Sequence, residues 1–319
     1  MDILENIEKQ VDKIQAHKVY SGINSLPYGD APNTITSGCV VAEGGAFRAV
    51  YGEGVMDALM EEGINFQTTI GVSAGALNGL NYCAGNIGRA ARINLSHRYD
   101  HEYVGLKAYK DSNTVIDFNY LFHELGQDIP FNRERFYKDD RRFMAVATNM
   151  LTGKPRVFEK GRCDDILKAV IASSSMPYVS TPVYIGGVPY LDGACSCSVP
   201  FKWALQNDFE KIVVIRTRTR DTRLKEVSGK KKDAIKALYH EYPKFAKALL
   251  KRNEKYNKDA REMEKLEEEG RIFVIAPSKD LKVKKLETDM EKLGDWYYLG
   301  YDDAKACMSD LKKYLGLEG

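Results

Sequence analysis

TTIGVSAGALNGL, residues 68–80, decides the fold. An apolar, β-branched run from Thr68 to Val72 reads as a strand, and the small-residue segment AGALNGL reads as the helix that follows. Between them stands Gly71-Val72-Ser73-Ala74-Gly75, a Gly-x-Ser-x-Gly turn. That form puts a serine hydroxyl on a tight strand-to-helix corner, where glycines avoid clashes between the two elements. Ser73 then lies at a helix N-terminus, where the dipole and free N–H groups favour negative charge. By itself such a pentapeptide is equally well a plain turn.

The same strand-turn-helix grammar recurs upstream. Cys39 to Ala42 is a short apolar strand that runs into Glu43-Gly44-Gly45-Ala46-Phe47-Arg48. A helical pattern follows from Arg48 to Glu62, with Val55, Met56, Leu59 and Met60 on one face and Gly63 as its stop. Glycines here let backbone N–H groups point at a site beside Ser73, as an oxyanion hole requires. A phosphate-binding loop is the weaker reading, because Ala46 and Ala49 stand where Gly-x-Gly-x-x-Gly needs glycine and no Gly-Lys-Ser/Thr is present. Further strands are expected at 143–148, 211–216 and 271–276. Strands alternating with helices imply a largely parallel α/β sheet covered on both faces.

Farther on, the strand-like Val188 to Leu191 leads into Asp192-Gly193-Ala194. Asp-Gly alone is usually a hairpin turn. It becomes a candidate base because an unassisted serine is a poor nucleophile and the rest of a serine site is in place. Chain order also admits a Ser73, Asp192, His240 triad. His240 sits in a charge-rich helical stretch, however, and reads better as a surface or packing residue.

These blocks together resemble the patatin-like phospholipase family: the Gly-rich junction at Gly44–Ala49, the serine turn at Gly71–Gly75, AVIASSSMP at Ala169–Pro177, and Asp192-Gly193-Ala194. The resemblance covers about residues 38–220, and the segments RIFVIAPS and DWYYLGYDDA resemble the tail of bacterial intracellular members. It implies a three-layer α/β/α sandwich with a mainly parallel central sheet. It also implies a Ser–Asp dyad, with Ser73 as nucleophile, Asp192 as base, and an oxyanion hole at Gly44, Gly45 and Ala46 to which Arg48 adds positive potential. Gly71, Gly75 and Gly193 support the motif. Acyl-ester hydrolysis of a phospholipid, lysophospholipid or neutral lipid is the implied activity, with no cofactor and no metal. Departures at Ala46 and Ala49 are harmless if φ there is negative, and distort the hole if it is positive. A patatin-fold lipid-binding protein without strong catalysis is the reading those two alanines favour.

Composition narrows the partners. Lys+Arg of 47 against Asp+Glu of 45 leaves +2, which points to no nucleic-acid partner. There is no apolar run of about 18 residues and hence no transmembrane segment, and the acid-base mixture of residues 1–15 is unlike a signal peptide. The 6 cysteines lack a framework spacing and read as reduced thiols, so a cytoplasmic protein is expected.

Residues 1–37 are expected to form an N-terminal amphipathic helix and connector, 38–278 the catalytic domain, and 279–319 a C-terminal helical tail packed on the same domain. Pro243 should split the charged stretch 230–269 into two helices. Arg216, Arg218 and Arg220 alternate, so on a strand they would share one face and meet a phosphate headgroup. Ion pairs at a solvated edge are the plainer reading. Lysine clusters at 230–232 and at 282, 284 and 285 leave open a peripheral contact with an anionic membrane surface, with solvated helix faces as the default.

Overall fold

The computed structural model describes residues 18–112, 114–125 and 129–317. The amphipathic helix expected over residues 2–17 lies outside the described residues. Among them, eight strands share one sheet: β1 (Thr36–Ala42), β2 (Phe66–Val72), β3 (Arg142–Asn149), β4 (Pro155–Glu159), β5 (Val183–Ile185), β6 (Val188–Asp192), β7 (Ile212–Ile215) and β8 (Phe273–Ile275). The run β8-β7-β1-β2-β3 is parallel, and β4, β5 and β6 add antiparallel pairs. The sheet is therefore mainly parallel, as the alternating pattern predicts.

Both faces are covered. Alternate residues of β1 feed opposite cores, Val40 and Ala42 one and Cys39 and Val41 the other. Val213 and Val214 on β7 divide in the same way. Such two-sided burial requires the continuous apolar runs seen in the sequence. Each buried valine or isoleucine contributes about 1.5–3 kcal/mol.

Five helices bear on the site: α1 (Val50–Glu61), α2 (Ala74–Ala84), α3 (Ile166–Ser174), α4 (Pro243–Glu268) and α5 (Met290–Ala306). Gly63 follows α1 at φ 70, the left-handed stop its sequence position predicts. The charged stretch splits into two helices as expected, Lys230–Leu238 and α4, and Pro243 opens α4, a position where its missing N–H costs nothing. The Trp296-Tyr297-Tyr298 cluster proves to be core: Trp296 and Tyr297 are buried on α5 against α1. There the Tyr297 hydroxyl donates to Asp57 Oδ2 at 2.7 Å, and the backbones pack so closely that a Cβ on Gly300 would lie 2.0 Å from the Tyr51 carbonyl.

One topological detail places the chemistry. β4 overlaps both β2 and β6 along β3, so it must occupy the opposite edge from each of them. β2 and β6 consequently share one edge of β3 and run head-on. β2 ends with Val72 opposite Val146, and β6 ends with Asp192 opposite Ala147. The two strand ends meet between adjacent residues of β3.

No helix among the described residues is long and apolar enough to cross a membrane.

Candidate active site

Ser73 is the first residue past β2 and adopts φ 56, ψ −133, a conformation costly for a residue with a Cβ. A serine at this position normally caps its own helix. Here it makes no cap bond, and its Oγ donates instead to Asp192 Oδ2 at 2.8 Å. Both side chains are buried, Ser73 at 5 % and Asp192 at 6 % exposure. The second Asp192 oxygen accepts the Ala194 N–H at 2.8 Å, which fixes the carboxylate plane. Burial pushes the Asp192 carboxyl above its ordinary range; the bonds from Ala194 and Ser73, then the charges of Lys285 and Arg252, oppose that rise.

The motif glycines are steric necessities. A Cβ on Gly75 would lie 2.5 Å from the Ala42 carbonyl, and one on Gly193 2.0 Å from the Val146 carbonyl. Gly71 faces the Gly75 carbonyl, and Gly44 the Val72 carbonyl and the Ser73 Cβ, just as tightly. Any side chain at these points would separate the strand ends that hold Ser73 and Asp192.

Gly44, Gly45, Ala46 and Arg48 line the same pocket as Ser73 and Asp192. The N–H groups of Gly44, Gly45 and Ala46 find no acceptor among the described residues, whereas the Arg48 N–H donates to the Gly45 carbonyl at 3.2 Å. Ala46 stands at φ 50, the left-handed region, while Ala49 is at φ −72. The condition set by the sequence thus falls on Ala46 alone. Ala46 lines the pocket in this left-handed conformation, at a backbone cost of about 1–2 kcal/mol.

Several further residues build the site. Ser173 Oγ accepts the Ser73 N–H at 2.9 Å, and the Ser175 carbonyl accepts the Asp192 N–H at 2.8 Å, so α3 and its end hold both members of the pair. Buried Glu43 accepts the Thr217 N–H at 2.8 Å and lies 4.0 Å from Arg218 Nε. Arg218, Arg252, Tyr256 and Lys285 complete the pocket.

The alternating arginines do not share a face, because β7 ends at Ile215 and the chain turns after it. Arg216 is buried and donates to the Tyr256 hydroxyl at 3.0 Å. Arg220 pairs with Glu267 at 2.8 Å, so an ion pair is correct for it, and only Arg218 enters the pocket. Of the lysines expected on solvated faces, 230–232 are exposed on a helix, but Lys285 lies in a turn and lines the pocket. His240 is exposed, its ring nitrogen 3.0 Å from the Ala237 carbonyl, and among the described residues no histidine lines the pocket.

The patatin-like phospholipase family model matches residues 40–205, which span the glycine-rich junction, Ser73, α3 and Asp192. The chain belongs to the patatin-like phospholipase family. A second match, to a domain of unknown function (DUF6363), covers residues 242–316. Strand β8 of that segment joins the patatin-like sheet directly, in parallel with β7. Among curated proteins, the uncharacterized protein YjjU of Escherichia coli strain K12 is 27 % identical over 183 residues, 56 % of this chain and 51 % of its own. The patatin-like chain therefore spans about half the length of that relative. The crystal structure of VipD from Legionella pneumophila aligns at a TM-score of 0.45 and 12 % identity, over 88 % of this chain and 68 % of that one.

Proposed function

We propose that the chain is a serine acyl-ester hydrolase acting on lipid esters of phospholipase or lysophospholipase type through a Ser73–Asp192 dyad. The observation that carries this reading is the buried 2.8 Å hydrogen bond from Ser73 Oγ to Asp192, with no imidazole among the described residues that line the pocket. Burial raises the affinity of Asp192 for a proton, which suits a direct base. Asp192 takes the hydroxyl proton as Ser73 Oγ bonds to the ester carbonyl carbon, and the carbonyl π pair moves onto oxygen. The N–H groups of Gly44, Gly45 and Ala46 are the donors for that oxyanion, each worth about 3 kcal/mol. Collapse breaks the bond to the alcohol, which leaves with the proton from Asp192. Water then attacks the acyl-serine, Asp192 again takes the proton, and the acid departs as the Ser73 hydroxyl is restored.

A patatin-fold lipid-binding protein of weak activity is favoured by one observation, the positive φ of Ala46. A panel of p-nitrophenyl esters and defined lysophospholipids separates the two, with Ser73→Ala as control. Ser73-dependent release of acid supports the hydrolase, and release equal in protein and control supports the binding protein. Free thiols at all 6 cysteines suit a reducing compartment, so we read the protein as cytoplasmic.

A further inference from the structure

We propose that the region beyond residue 205 builds an anion subsite beside Ser73, in which Arg252 and Lys285 recognise a phosphate or carboxylate carried by the ester substrate. This deepens the hydrolase reading and rests on it.

The pocket is lined by Arg48, Arg218, Arg252 and Lys285 against two carboxylates, Glu43 and Asp192. Both carboxylates are engaged, Glu43 by Thr217 and Arg218, and Asp192 by Ser73 and Ala194. Among the described residues, no carboxylate lies within ion-pairing distance of Arg48, Arg252 or Lys285, and Arg48 Nε is buried with no hydrogen-bond partner. Cations left unpaired in a shared concavity repel one another, and a ligand that brings two or more oxygens answers that imbalance. Burial and crowding both lower their affinity for a proton. Lys285 lines the pocket, and burial, then the Arg252 charge, pushes it down to about 8 against the opposing charge of Asp192. Arg48 falls to about 10 through burial and then Arg218.

The backbones of two of these cations, Arg48 and Lys285, are tied to neighbouring elements. The Phe47 N–H donates to the Lys285 carbonyl at 3.0 Å, and Trp296 Nε1 donates to the Arg48 carbonyl at 2.8 Å. Both bonds fasten the C-terminal region to the glycine-rich junction. Arg252 lies on α4, one turn before Tyr256, which also lines the pocket. Three of the four cations therefore lie outside residues 40–205, and two of them within the segment of unknown function. Selection of the substrate's charge is the role this gives that segment.

The test compares kcat/KM for a 1-acyl-glycerol-3-phosphate and for a monoacylglycerol of the same acyl chain, in the unsubstituted chain and in Arg252→Gln and Lys285→Gln. Calorimetric titration with inorganic phosphate runs alongside and needs no turnover. A preference for the phosphate ester that falls on the order of tenfold in each variant supports the proposal with a lipid headgroup as the source of the anion. Phosphate binding that is lost in the variants, without any ester preference, supports the subsite with free phosphate as its ligand. If no ester is hydrolysed but phosphate still binds through Arg252 and Lys285, the subsite stands and the hydrolase reading falls. Equal losses on both esters with no phosphate binding overturn the proposal and leave the cations serving the reaction itself.

Discussion

Ser173 holds Ser73 by its backbone: the Ser73 N–H donates to Ser173 Oγ at 2.9 Å, and that hydroxyl donates onward to the Val146 carbonyl at 2.6 Å. The relay ties α3 to β3 and pins a serine whose φ is 56. Ser173→Ala leaves a buried N–H without an acceptor, at an expected cost of about 1–3 kcal/mol. Because Oγ of Ser73 is then less firmly aimed, kcat should fall more than KM rises, and Ser173→Thr should restore much of both. Urea denaturation and steady-state kinetics check this. Wild-type stability and kcat in Ser173→Ala would contradict the positioning role.

Ala46 and Ala49 invite opposite outcomes from one substitution. Ala46 sits at φ 50, so Ala46→Gly relieves a left-handed alanine and should be neutral to stabilising by about 1 kcal/mol. Ala49, at φ −72, gains nothing, and Ala49→Gly should destabilise by about 0.5–1 kcal/mol. Denaturation midpoints of the two variants give the difference directly. Equal shifts in both would remove the claim that Ala46 is strained.

Stability should fall as pH rises through neutrality. Burial raises Glu53 to about 8, with the Asn94 bond opposing and the Asp57 charge adding. Burial likewise raises Asp57 to about 7 against bonds from Gly88 and Tyr297. Unfolded, both titrate near about 4. Between about 4 and 8 the native state therefore holds protons that the unfolded chain has released, and stability declines with pH. Glu287, held at about 2 by backbone N–H bonds and Lys292 against the effect of burial, acts with the opposite sign, but only below about pH 5. The melting temperature should drop from about pH 5 to 8, and Glu53→Gln should flatten that drop. A midpoint that rises over this interval would be inconsistent with buried, protonated carboxylates.

How much of this was readable in advance follows from the range of the interactions. β1 and β2 are continuous apolar runs ending in glycine turns, and that local signal fixes strand, corner and helix together. The Ser73–Asp192 pair was legible because each residue sits on a glycine turn that strand packing requires. Ser173 and Ser175 lay inside a recognisable block, but which hydroxyl or carbonyl meets Ser73 or Asp192 depends on the head-on meeting of β2 and β6, which no periodicity encodes. Arg216, Arg218 and Arg220 misled because alternation puts residues on one face only while the strand lasts, and β7 stops at Ile215. Lys285 looked like one more solvated lysine. Its place in the pocket depends on long-range contacts of its turn, among them the backbone bond from Phe47, 238 residues away in sequence, as 285 − 47 shows, and the bond from Arg98 to the Glu287 carbonyl.

Covalent labelling of Ser73 by a fluorophosphonate, followed as a rate by intact-protein mass, tests the direct transfer of the serine proton to Asp192. The prediction is stoichiometric labelling at Ser73, on the order of 10²–10⁴-fold slower in Asp192→Asn and unchanged in His240→Ala. Labelling that persists at full rate in Asp192→Asn, or that disappears in His240→Ala, would contradict the dyad.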